Sequence, residues 1–511
     1  MDWSLDAEID GAWVPLTPDV RVAEPITWGY GLPSADDRVS RIGSLVFVLS
    51  SGTAGAGAGT WTPGHPHARA GWEVGCPVRV TWTAAGRSTR KIYRVDKLEL
   101  VAGPAESPST RVHAVDWVAV AAETRVGPLL EVQLAQRSDE LIASALAAVP
   151  ADRQPRSSAI ATGKSTFPLA LQDLTDRTTA LAVFARVATS ERGRVVVRRG
   201  ATGEELAFED RHARPLASTI VAEFAGSHSA ITVSRAVADV FNVVSSQVEL
   251  AHVGAAVEVL WSITAQERAP EIPAGSTLVL RCPYRDPDHE SERVGGVEVE
   301  TTLVAGTHYT CNAESDGSGA DLSAAVTASL TAGATQAELV LANTGAVPVW
   351  LVQGAVRGKA VRGETTVLLT ARDTASIDRY GERPLAIDHA YEQDLTTVQA
   401  QADFELAARK DPRTVVQRVS YYAVTAELEA AALDLELSSK VRVVETDAGV
   451  SGLDGAVQTA HYVDSLSYSV IDGSLLRCDV ALSPAGAQDG VWLLGVDGAH
   501  ELGVSTRIGY A

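Results

Sequence analysis

Along the first 120 residues apolar and polar positions alternate in short runs, AWVPL, SLVFVLS, PVRVTWT, RKIYRVDKLEL and TRVHAVDWVAV, separated by Gly, Pro, Asp and Ser. A period of two bounded by turn-formers predicts strands with one buried face, and several at close spacing predict a barrel or sandwich. The run SGTAGAGAGTWTPGHPHARAG interrupts them. Its Gly and Ala residues offer little to pack, so it reads as a long mobile loop.

The period then becomes helical. QRSDELIASALAAV puts Leu141, Ile142, Ala145, Leu146 and Val149 on one face, with Ser138 as N-cap, Asp139 and Glu140 in the first turn and Pro150 beyond the end. TTALAVFARVATSERG predicts a second helix with Leu181, Phe184, Val187 and Ala188 inward and Gly193 as its stop. The strands RVVVRRG and AFED follow. Strands resume from FNVVSSQVEL to VEVLWSI, and a block opened by Pro270 and Pro273 then runs STLVLRCPY, GGVEVETTLV, AAVTASLTAG, QAELVLANTG and VPVWLVQGAVRGKAV without helical periodicity. That block reads as an inserted β-sandwich. YEQDLTTVQAQADFELAARKDP restores a helical stripe of Leu395, Val398, Ala402, Leu406 and Ala407, with Pro412 just past its end. The remainder returns to strands, and Asp472-Gly473 between two alternating runs marks a hairpin.

The expected fold class is mainly β with an α+β part. A first β-barrel occupies 1–125, a small α+β domain 126–238, and a second β-barrel with the long helix 239–266 plus 373–511, while 267–372 form the inserted sandwich. A length of 511 residues agrees with several cores rather than one.

Charge narrows the partners. With 43 basic and 64 acidic residues the net charge is −21, which repels phosphate backbones and anionic headgroups. Sequence-specific nucleic-acid binding and membrane insertion are therefore not expected. Arg192, Arg194, Arg198 and Arg199 cluster, but on a predicted strand, and read as a solvated face. The start MDWSLDAEIDG lacks a signal pattern and no apolar run approaches the roughly 18 residues of a membrane span, so synthesis in the cytoplasm is expected. Cys76, Cys282, Cys311 and Cys478 share no metal spacing and read as free buried thiols; Cys282 and Cys311 facing each other across the sandwich is the alternative.

Four stretches invite chemistry. In AIATGKSTFPLAL, Gly163-Lys164-Ser165 resembles the end of a phosphate-binding loop. Such a loop needs a glycine where Ser158 stands, and a helix where Pro168 stands, so a polar turn is expected instead. His65 and His67 have metal-like spacing but no partners. Asp286, Asp288, His289 and Glu290 make an oxygen-rich loop without the glycine-pinned spacing of a calcium hand, and read as an exposed connection. Trp28, Trp61, Trp72 and Trp82 suit either a sugar-stacking platform or core anchors. With no Gly-x-Ser-x-Gly elbow and no His-Glu-x-x-His pair, neither enzymatic activity nor a cofactor, metal or catalytic residue is expected.

The order of barrel, α+β unit and second barrel resembles the baseplate hub proteins of long-tailed bacteriophages, also called tail-associated or minor tail proteins and related to parts of contractile machines. SIDRYGERPLAIDHAYEQDLTTVQAQADFELAARKDP carries the closer likeness: Ser376, Ile377, Tyr380, Gly381 and Arg383 form a turn, an Ala-rich helix follows, and Pro412 starts the next strand. FNVVSSQVEL and the ending GVWLLGVDGAHELGVSTRIGYA are also similar to minor tail proteins. The sandwich departs from the minimal hub plan. The resemblance implies a structural, non-enzymatic protein of the virion tail tip. It implies a homotrimer whose paired barrels cap the tail tube, let DNA pass, and touch a distal tail protein, a tape-measure protein and fibres or other minor tail proteins. Tyr380, Gly381, Arg383 and Pro412 become candidate interface or structural residues, with the first three fixing the start of the long helix. The alternative is a receptor- or glycan-binding tail-tip protein using the Trp-rich first domain or the sandwich for host attachment.

Overall fold

A computed structural model describes residues 1–50, 59–103, 106–127, 130–264, 269–450, 460–485, 491–492 and 507–508. The alternating runs near the N-terminus form the strands Asp2–Ile9, Ala12–Pro15, Pro77–Ala84, Arg87–Gly103, Glu106–Val115, Arg41–Ser50 and Ile26–Gly31, neighbours in one antiparallel sheet. That sheet does not stop at the first barrel. Ile26–Gly31 pairs with Ala460–Ile471, which continues into Leu475–Pro484, Val415–Tyr422 and Ala230–Ser234. Lys440–Val444 pairs with the same strand and carries Ile220–Ala225 beside it in parallel. The two β-barrels thus share a thirteen-stranded sheet and a single hydrophobic core.

The seam between them is tight. Trp28 lies opposite Tyr468 in register, and the two rings stack at 5.2 Å with 13° between planes. Trp82 joins them at 5.4 Å from Trp28 and 5.1 Å from Tyr468. Gly31 has φ +125° and lies so close to the partner strand that a Cβ would stand 2.4 Å from the Asp464 carbonyl oxygen, so no other residue fits. The Asp472-Gly473 turn closes the hairpin with both φ positive, at 48° and 71°. The Gly473 carbonyl accepts a hydrogen bond from Trp3 Nε1 at 2.8 Å, tying the hairpin back to the first barrel.

Between the barrels in sequence lie α1 (Trp117–Glu123), α2 (Ser138–Ala147) and α3 (Ala180–Glu191). They pack on the strands Ser157–Ile160, Glu205–Glu209 and Arg194–Arg198 around Trp117, Leu141, Phe167, Phe184 and Phe208. TRVHAVDWVAV was expected to be all strand; instead the buried carboxylate of Asp116 accepts from the Val118 N–H and starts α1. Ser138 is not the cap of α2, whose first turn is closed by Glu140 accepting from the Arg137 N–H at 2.8 Å. At the end of α3 it is Arg192 that turns left-handed, with φ 62°. Gly193 serves another need, since a Cβ there would sit 2.6 Å from the Glu209 carbonyl oxygen.

Val349–Arg372, 24 residues long, is the spine of the remainder. Its first part pairs with Glu258–Thr264, Glu271–Ile272 and Tyr309–Asn312. This layer faces Thr277–Pro283, Gln336–Asn343 and Val326–Ala332 across a core that holds Cys282 and Cys311, which makes the expected sandwich. All four cysteines are buried free thiols. The second part of the spine pairs with Val243–Val253, which runs parallel to Pro384–His389. Hence 243–264 joins the spine rather than the second barrel, whereas 220–234 joins the barrel rather than the α+β unit.

Helices α4 (Thr374–Tyr380) and α5 (Leu395–Arg409) flank that parallel strand, and α6 (Ala426–Asp434) sends Leu428, Ala431, Ala432 and Leu433 into the core the two barrels share. In α5 Val398 and Ala402 are buried as expected, but Leu395 and Ala407 are exposed and Gln401 and Glu405 take their place inside. Nothing in the apolar pattern announced α6, an Ala- and Glu-rich turn capped by Thr425. Its Ala432 carbonyl accepts from Trp82 Nε1 at 2.9 Å, so the helix is pinned to the aromatic seam.

Replacing Tyr468 by Ala removes both ring contacts at the seam and is expected to cost about 3–5 kcal/mol. Guanidinium denaturation followed by tryptophan fluorescence measures it, and the double variant with Trp82→Ala should fall short of additivity because the rings touch.

Candidate functional site

The phosphate-loop resemblance ends in a carboxylate. The backbone N–H groups of Lys164 and Ser165 both point at Glu191, at 2.9 and 2.7 Å, and the Ser138 hydroxyl donates to the same group at 2.7 Å. Gly163 donates its N–H to Asp139 at 2.9 Å. Converging backbone N–H groups form a small anion nest, and the anion is supplied by the last residue of α3. The Arg211 guanidinium lies 3.9 Å from Glu191 and donates to the Ser165 hydroxyl at 2.9 Å. That hydroxyl donates in turn to Glu392 at 3.0 Å. Burial raises the Glu392 carboxyl above its usual range, against the pull of the hydrogen bonds from the Asp394 N–H and Ser165. Asp394 caps α5. One polar chain therefore runs from the end of α3 through the loop to the start of α5. The segment after the loop is the strand Thr166–Ala170, so the loop does not run on into a helix as a nucleotide loop does.

The acidic loop is filled in the same way. Both oxygens of Asp286 are taken by Arg362, Nε at 3.0 Å and Nη2 at 3.0 Å, and Arg362 also reaches Glu258 at 2.9 Å. The guanidinium holds the Asp286 carboxyl down at about 2. Asp286, His289 and Glu292 form the only group of three potential metal ligands among the described residues. Asp286 is thus already paired with an internal cation, Asp288 lies 3.5 Å from the same guanidinium and Glu290 is exposed. His65 and His67 are exposed, with His65 Nδ1 accepting the His67 N–H at 3.1 Å.

The tryptophans are core. Trp28, Trp61, Trp72 and Trp82 are all buried, so they offer no platform to a sugar. Trp61 Nε1 donates to Asp19 at 2.9 Å, Trp72 Nε1 to the Trp61 carbonyl at 3.2 Å, and the two rings meet edge to face at 5.4 Å. The loop expected to be mobile is thus anchored at 61 and 72, while its 51–58 portion lies outside the described residues. The arginine cluster is also mostly inside, because Arg192, Arg194 and Arg199 are buried. Arg199 donates to Glu436 at 2.9 Å and sits over the Trp82 ring at 5.3 Å.

The turn at 376–383 closes on a residue the sequence did not flag. Asn242, fully buried, donates from Nδ2 to the Gly381 carbonyl at 2.8 Å and to the Ser376 hydroxyl at 3.2 Å. Its Oδ1 accepts the Arg383 N–H at 2.8 Å, and its own N–H reaches the Arg383 carbonyl at 3.0 Å. Gly381 ends α4 at φ 77°, ψ 167°, with its N–H on the Ile377 carbonyl. Tyr380 is half-buried beneath the Arg379 guanidinium, 5.1 Å from its ring. Ser376 donates to the Lys410 carbonyl at 2.5 Å and Lys410 pairs with Asp373 at 2.8 Å. The turn therefore braces the end of α5, near Pro412, and not its start, because the strand Pro384–His389 intervenes. One signal was available in the sequence for Glu191: an acid closing a helix C-terminus opposes the helix dipole and needs a reason to be there.

No family model matches the chain and no curated protein matches its sequence. Solved structures do. A tail protein from Neisseria meningitidis MC58 is similar with a TM-score of 0.50 at 8% identity, over 96% of this chain and 98% of that one. The 43 kDa tail protein of prophage MuSo2 from Shewanella oneidensis gives 0.49 at 10% identity over 96% and 100%. Prophage tail protein gp18 from Listeria monocytogenes EGD-e gives 0.43 at 8% identity over 94% of each. The fold of this chain is that of the Neisseria tail protein, matched nearly end to end.

Three outcomes are expected. Glu191→Gln removes the anion on which the nest converges and should cost about 3 kcal/mol or more in chemical denaturation, while the wild-type chain should not bind a fluorescent ATP analogue. Gly381→Ala should cost about 1–3 kcal/mol through backbone strain, since nothing lies within 4 Å of the added Cβ.

Proposed function

We propose that this protein is a structural hub of a bacteriophage tail tip, a homotrimeric ring that caps the tail tube, joins it to distal components and lets DNA through. The observation that carries this reading is the seam. A ring of six barrels built from three chains needs the two barrels of each chain in fixed relation, and strand pairing between Ile26–Gly31 and Ala460–Ile471 supplies that rigidity. A heterologous contact repeated around a threefold axis then closes the ring. The likeness in fold to a tail protein supports the same role.

In this reading the chain is not an enzyme. Its anion nest holds Glu191 and its acidic loop holds Arg362, so the stretches that most resemble ligand sites serve internal cohesion. The partners are the distal tail protein or tail tube, the tape-measure protein and fibres or other minor tail proteins, and the place is the virion. The net charge of −21 suits a lumen that repels passing DNA.

Light scattering of the purified chain should give three times the 53.7 kDa chain mass, and negative-stain averages should show a hollow threefold outline. A monomer that stays monomeric in the presence of assembled tail tubes would overturn the ring.

A further inference from the structure

Where the 35–38 loop, the start of the strand Arg194–Arg198, the last turn of α5 and the strand Ala460–Ile471 meet, there is a cavity of about 50 Å³. One water position needs roughly 10–15 Å³, so the space suits a group of a few heavy atoms. Five arginines line it, Arg38, Arg194, Arg214, Arg409 and Arg413, with a single carboxylate, Glu405. In a chain with a large acidic excess this is an unusual concentration of positive charge.

The carboxylates nearby are already spent. Burial by itself would raise the Glu405 carboxyl, but Arg192, Arg409 and Arg38 overcome it and hold the group well below its usual range. Arg409 Nε lies 3.0 Å from Glu405 and Arg38 Nη2 3.6 Å, while Arg192 donates to the same oxygen as Arg38. Arg409 also pairs with Asp36. Asp464 is bound by Arg214 at 2.7 Å and by the Ser483 hydroxyl at 3.1 Å. Glu209 accepts from Ser438 at 2.5 Å and faces Arg198 at 3.8 Å.

Arg194 and Arg413 are left with no carboxylate at ion-pair distance among the described residues. Arg194 is only 6% exposed and its Nε has no hydrogen-bond partner; the Nε of Arg38, 9% exposed, has none either. A buried guanidinium without an anion is costly. Burial, with Arg214 adding to it, pushes the Arg194 guanidinium down to about 9. Burial and then Arg409 lower Arg413 likewise.

We propose that this cavity is an oxyanion site, in which Arg194 and Arg413 receive a group with two or more acceptor oxygens. Guanidinium forks match carboxylate and phosphate geometry in pairs of parallel hydrogen bonds. The group is either a free inorganic ion or the carboxylate of an acidic side chain reaching in from a neighbouring chain. This inference does not rest on the ring reading.

The test uses the full-length chain with inorganic phosphate and, separately, acetate, at constant ionic strength set with chloride. Phosphorus NMR line width reports phosphate and proton line width reports acetate. Wild type is expected to broaden at least one resonance at millimolar concentration. Arg194→Gln should weaken that binding roughly tenfold or more, as loss of a charge-assisted hydrogen bond does. Arg413→Gln, nearer the surface, should act in the same direction and serves if the first variant fails to fold by circular dichroism. Phosphate binding identifies the free-ion source, and acetate binding alone identifies the side-chain source. No broadening with either anion, or equal broadening in wild type and a folded variant, would sink the site.

Discussion

Pairing of Ile26–Gly31 with Ala460–Ile471 joins two ends of the chain more than 400 residues apart, and most of the architecture hangs from it. Closing so long a loop costs entropy that rises only slowly with length, and the seam offsets it with ladder hydrogen bonds, three aromatic rings in mutual contact and a common core. Because Trp82 touches Trp28 and Tyr468 and also donates to the Ala432 carbonyl, α6 is tied to the same seam. The sandwich packs instead on the α+β unit, whose core takes in Val297, Ala334 and Val361, with Val349–Arg372 bridging sandwich and parallel strands.

Charge inside the molecule follows one rule, that the chain provides its own counterions. Glu191 fills the nest made by Lys164 and Ser165, Arg362 fills the acidic loop, and Arg199 finds Glu436 beside the seam. Paired in this way, buried ionic groups fix which segments meet, since removal of either partner strands the other in a poor solvent for charge. The arginine-lined cavity near Glu405 is where the rule runs short of anions.

Much of the local structure was legible because periodicity is a local property. The strands of the first barrel, α2, α3, the sandwich and the Asp472-Gly473 hairpin all follow from the spacing of apolar residues and turn-formers. Helix α1 was hidden because Trp117, Val118 and Val120 extend an alternating run, and only the capping carboxylate of Asp116 breaks it. Helix α6 was hidden because its short Ala-rich stretch gains its stability from packing into the shared core, where propensity counts for little. The role given to Tyr380, Gly381 and Arg383 shifted from the start of α5 to its end because Asn242, 134 residues before Ser376, supplies the hydrogen bonds that place the turn.

The sequence by itself determined the mainly β class, the burial of the cysteines and the failure of Gly163-Lys164-Ser165 as a nucleotide loop, since each depends on neighbours within a turn or a strand. Tertiary structure decided that the two barrels are one sheet, that the tryptophans face inward, and that Glu191 and Arg362 occupy the places where ligands were conceivable. Those outcomes depend on which distant groups meet, and neither strand register nor ion pairing between remote residues leaves a mark on the local pattern of apolar and polar positions.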